Sequence, residues 1–60
     1  MTTVDTVNDN VIGLAERAFV NMDFDYALIF VRGMAQVRPE SATSMALNEL
    51  VDRKLAEKSS

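Results

Sequence analysis

Sixty residues carrying nine acids, six Lys or Arg and neither His nor Cys exclude a disulfide framework and the usual zinc, copper and iron sites. A chain this short buries only about 60 % of the surface its unfolded form exposes. Small scaffolds are normally secured by disulfides, a metal or association, and only association is left here.

The charge is uneven. Through Val31 five acids (Asp5, Asp9, Glu16, Asp23, Asp25) face one base (Arg17), a balance of −4. From Arg32 onward four acids meet five bases, a balance of +1. Such a gradient favours head-to-tail pairing of two chains or a basic partner for the first half.

The chain begins Met1-Thr2-Thr3-Val4-Asp5, without the basic start and apolar centre of a signal peptide. Its longest apolar run, Tyr26 to Val31, is closed by Arg32 and falls far short of the ~20 residues a spanning helix needs. A cytoplasmic location and no membrane partner are therefore expected. Residues 1–8 are expected to fray. Thr3 or Asp5 would cap an early helix start, with Val4 and Val7 extending its stripe, and Asn8 would cap a start near Asp9.

The first helix is predicted from about Asp9. Val11, Leu14, Ala15, Ala18, Phe19 and Met22 recur at helical spacing and form its apolar stripe. Gly13 inside it lowers helix stability by about 1 kcal/mol relative to Ala and marks either a close helix approach or simple tolerance. Asn21-Met22-Asp23 ends this helix, and Asp23 is a natural cap for the next. A junction so short folds the two helices into an antiparallel hairpin.

The second helix is predicted over Phe24 to about Val37, because Arg38-Pro39 disfavours continuation. Phe24, Ala27, Leu28, Val31 and Met34 form one stripe, while Tyr26, Ile29, Phe30 and Val37 point elsewhere. A helix apolar on so many sides needs cover that this chain lacks. Tyr26, Ile29, Phe30, Gly33 and Val37 are the expected partner-binding residues. Phe19 and Phe24, by contrast, are expected in the core, so that truncating either unfolds the chain.

Ser41 or Pro39 starts the third helix. Leu47, Leu50, Val51 and Leu55 supply its apolar face, with Ala42, Met45 and Ala46 nearby. Glu49 and Arg53 are spaced for an i,i+4 ion pair. Arg53, Lys54 and Lys58 suit the negative end of the helix dipole. Residues 58–60 are expected to fray. The fold class is all-α: an antiparallel helical hairpin plus a C-terminal helix, in one domain spanning 1–60.

Leu14-Ala15, the Asp23-Phe24-Asp25 turn, Ala27-Leu28 and the closing Pro39 together resemble one tetratricopeptide repeat, a two-helix unit of about 34 residues. The likeness covers roughly residues 11 to 39, and the third helix is similar to the capping helix after a terminal repeat. Met22 stands where a turn glycine is common, Ala18 replaces an aromatic, and Met34 replaces a small residue. Ile29, Phe30 and Gly33 occupy positions usually polar. The resemblance implies that copies stack or that the chain docks on a larger partner, since one repeat cannot bury its own core.

Chemistry finds little footing. Without His or Cys, nucleophilic and general-base roles fall to carboxylates, Lys or Ser, and Asp23 and Asp25 are placed to cap a helix instead. Gly13 and Gly33 are isolated and form no phosphate loop. Asp5, Asp9 and Glu16 match the first, fifth and twelfth positions of a calcium loop, but Val7 and Asn10 fail its third and sixth. Direct nucleic-acid binding lacks a basic helix face. Met22, Met34 and Met45 are candidates for an adaptable peptide groove. No enzyme activity, cofactor or metal is expected. The function read from these residues is a helical protein–protein interaction protein, either self-associating or a small chaperone or adaptor for a larger partner. The alternative is a small acidic inhibitor of a nucleic-acid-associated protein, of the kind viruses encode.

Overall fold

A computed structural model describes residues 5–59. It contains three helices and, among the described residues, no strand: α1 (Asp9–Asn21), α2 (Phe24–Val37) and α3 (Ala42–Ser59). The start of α1 is set by Asn8, whose side-chain oxygen accepts from the N–H groups of Asn10 and Val11. Two of the donors that a helix start leaves unpaired are thereby satisfied. Residues 5–8 are not helical, so Asp5 caps no early start and Val7 does not extend α1 backward. The suggested roles of Thr3 and Val4 lie outside the described residues.

Asp23 caps α2 by position. Its backbone carbonyl accepts from the N–H of Ala27, but its side chain makes no capping bond. At α3 the cap is Ser41, whose hydroxyl accepts from the N–H of Ser44 and donates to the carbonyl of Arg38. The third helix then runs to Ser59, past the point where fraying was expected, and Ser60 lies outside the described residues.

Contacts between helix ends define the topology. Asn8 at the start of α1 meets Thr43 at the start of α3, and Phe19 near the end of α1 meets Lys54 near the end of α3. Ser44 bonds to Ala35 near the end of α2, and Lys58 lies over the ring of Phe24 at its start. Hence α2 runs antiparallel to both neighbours, an up-down-up bundle. Among the three helix pairs, α2 and α3 pack together most extensively.

The interior alternates small and large side chains. Ala15, Ala18, Ala27 and Ala35 are buried and let the helices approach, while Val31, Leu47, Leu50 and Val51 fill the space between them. Val11, Ile12, Phe19, Leu28, Met34 and Leu55 close the edges. Two expectations need correction. Leu14 is 53 % exposed, and Ile12 takes the place assigned to it. The apolar arc of α1 centres on Val11, Ala15, Ala18 and Phe19, and Leu14 sits one step of about 100° off that centre. Phe19 and Phe24 are only half-buried. Their rings pack tilted at 5.8 Å beside the hairpin turn, with Lys54 and Lys58 placed against them at 5.9 and 4.4 Å.

The ion pairing also differs. Among the described residues Glu49 and Arg53 form no ion pair, whereas Lys54 and Glu57 approach to 3.8 Å. Exposed pairs of this kind contribute little, so the fold does not depend on which one forms.

One buried polar contact matters more. Pro39 has no N–H, so the carbonyl of Ala35, four residues earlier, loses its ordinary helical donor. The buried hydroxyl of Ser44 donates to that carbonyl instead. Ser44→Ala should therefore leave a buried carbonyl without a donor. The expected cost is about 1–3 kcal/mol, measurable as a lower urea midpoint with unchanged slope.

Candidate functional surface

Burial of α2 on one side only creates the feature with most bearing on function. Ala27, Val31 and Ala35 point inward and are closed off completely or nearly so. About half a turn away, Tyr26, Ile29, Phe30 and Val37 are 65, 69, 44 and 79 % exposed. Gly33 is exposed among them. All five expected partner-binding residues thus lie on the outer side of one helix and are brought together by its repeat. The polar residues Asp25, Arg32 and Gln36 are confined to a narrow wedge of α2, since successive residues advance by about 100°.

Gly33 has no structural duty within the chain. Its φ is not positive, and a Cβ added there would meet nothing within 4 Å. The same is true of Gly13, which removes the close-approach explanation for that residue inside this chain.

Val37 connects the outer face of α2 to a depression of about 310 Å³ lined by Val11, Met34, Leu47, Arg38 and the segment of Asp5, Thr6 and Asn8. The depression is roofed in part by the chain itself. The Asp5 carboxylate accepts from the N–H of Ala42 at 2.6 Å, and the N–H of Asn8 donates to the Thr43 hydroxyl. A carboxylate at the positive end of α3 is well placed electrostatically.

Other candidates disperse. Of the three methionines suggested for a groove, Met34 lines this depression, while Met22 and Met45 are exposed elsewhere. Asp9, Glu16, Asp23 and Asp25 are exposed, and Asp5 is engaged with α3. No group of three or more metal-binding side chains occurs among the described residues. None of their helices is long and apolar enough to cross a membrane.

The sequence reading missed exposed apolar residues on α1, namely Leu14 and Val20. Val20 carried a usable signal, because it falls opposite the Ala15–Phe19 arc. Leu14 did not, since an edge position can be assigned to either side. The chain matches no protein-family model, no curated protein and no solved structure.

Proposed function

We propose that the chain is a non-enzymatic helical protein–protein interaction protein whose contact surface is the outer face of α2. The observation supporting this reading is the row of Tyr26, Ile29, Phe30 and Val37, all substantially exposed on one helix. Single exposed apolar residues are ordinary, but a contiguous row of large ones on a soluble surface is a binding feature. Removing such a row from water favours association at roughly 25 cal/mol per Å² before the costs of ordering are counted.

The size of the chain points the same way. A bundle of this length is marginal by itself, and a ligand that binds only the folded form stabilises it by mass action. The expected result is a melting temperature that rises with protein concentration, or on addition of the partner recovered by native purification. A chain that is monomeric by mass in both settings, with a fixed melting temperature, would overturn the reading.

A further inference from the structure

Residues 5–7 stand apart from the helices. All three are exposed and none is helical, yet they are held against a distant part of the chain. The Asp5 carboxylate accepts from the N–H of Ala42, the first residue of α3, 37 positions away in sequence. At the other end of the segment the N–H of Asn8 donates to the Thr43 hydroxyl at 2.9 Å. We propose that residues 5–7 form a latch, hinged at Asn8 and closed on the start of α3, which opens while the three-helix bundle stays folded.

Neither helix needs the latch for its own start. The first is capped by the side chain of Asn8, which lies beyond the latch and accepts from Asn10 and Val11. The third is capped by Ser41, whose hydroxyl accepts from the N–H of Ser44 and whose carbonyl accepts from that of Met45. Releasing Asp5 takes one acceptor from α3 and leaves both caps in place.

The closed state is also held lightly. Both fastening bonds are exposed, so water replaces them when they break and each returns little net stability. The backbone freedom regained by a single released residue is of similar size. Three residues held in this way, with no buried side chain among them, open at a lower cost than the bundle unfolds.

What the latch covers gives the opening a consequence. Asp5 and Thr6 form part of the wall of the 310 Å³ depression whose apolar lining is Val11, Met34, Val37 and Leu47. Met34 is half-buried and Leu47 is closed off. Opening widens this depression beside Val37, which also belongs to the outer face of α2. The latch thereby sets how much apolar surface adjoins that face. This consequence rests on the function proposed above, whereas the opening itself does not.

The test is residue-resolved amide hydrogen exchange on wild type and Asp5→Ala, with circular dichroism confirming that the variant keeps its helices. In wild type the Ala42 amide should exchange at least roughly tenfold faster than the core amides of Val31 and Leu50, at a rate insensitive to low urea, because local opening exposes little surface. Asp5→Ala should speed Ala42 exchange further. The second readout is oxidation of methionine by dilute peroxide. Asp5→Ala should raise the Met34 rate several-fold, while Met45, 63 % exposed, serves as an unchanged internal reference. Ala42 exchanging together with the core, Ala42 exchange indifferent to Asp5→Ala, or a Met34 rate unmoved by that substitution would each overturn the proposal. The concentration-dependent melting expected above is read separately, so the latch and the outer-face surface can fail independently.

Discussion

Replacing Ile29 and Phe30 together by serine should abolish association while leaving the three helices largely formed. Both side chains lie on the outer side of α2, and their exposure means that the substitution opens no large internal cavity. The two residues nonetheless carry much of the apolar area available to a partner, and truncation of central aromatic anchors commonly costs 2 kcal/mol or more of binding, roughly a thirtyfold loss. Circular dichroism at a concentration where wild type is monomeric should show similar helix content for both proteins. Sedimentation or native mass measurement should show that only wild type assembles. Assembly unchanged by the double substitution would place the contact surface elsewhere and remove the argument built on this face.

Leu47→Ala should have the opposite profile, with the fold lost first. Leu47 is 1 % exposed and, with Val31 and Val51, is among the largest fully buried side chains. Truncating a buried leucine costs about 2–5 kcal/mol, depending on how far the surroundings collapse. A 60-residue chain has roughly 3–9 kcal/mol of total stability at ordinary per-residue values. The variant should therefore be substantially unfolded at 25 °C, seen as weak ellipticity and early thermal melting. Phe19→Ala and Phe24→Ala should be milder, since both rings are half-buried beside the turn and border solvent. Retention of wild-type melting by Leu47→Ala would contradict the packing described here.

The contrast separates two kinds of apolar residue that the sequence lists side by side. In α2 the inward row of Ala27, Val31 and Ala35 contains small or medium side chains, whereas the outward row contains Tyr26, Ile29 and Phe30. Hydropathy alone would bury the larger ones. Close helix packing reverses this, because three helices meeting at short range leave space for alanine and valine where they touch.

Sequence alone determined the helices and their breaks. Apolar spacing defined each stripe, Asn8 and Ser41 provided capping side chains, and Pro39 ended the second helix, because these effects act over a few residues of backbone. The bounds of α2 follow directly from Asp23 before it and Arg38-Pro39 after it. Tertiary structure decided what local periodicity leaves open. It exposed Leu14, drew Ile12 to the core, left Phe19 and Phe24 half-covered at the turn, and tied Asp5 to the start of α3. It also assigned Ser44 the carbonyl that Pro39 deprives of a donor. Each depends on where another helix lies, and a residue at the edge of an apolar arc is buried or exposed according to that neighbour.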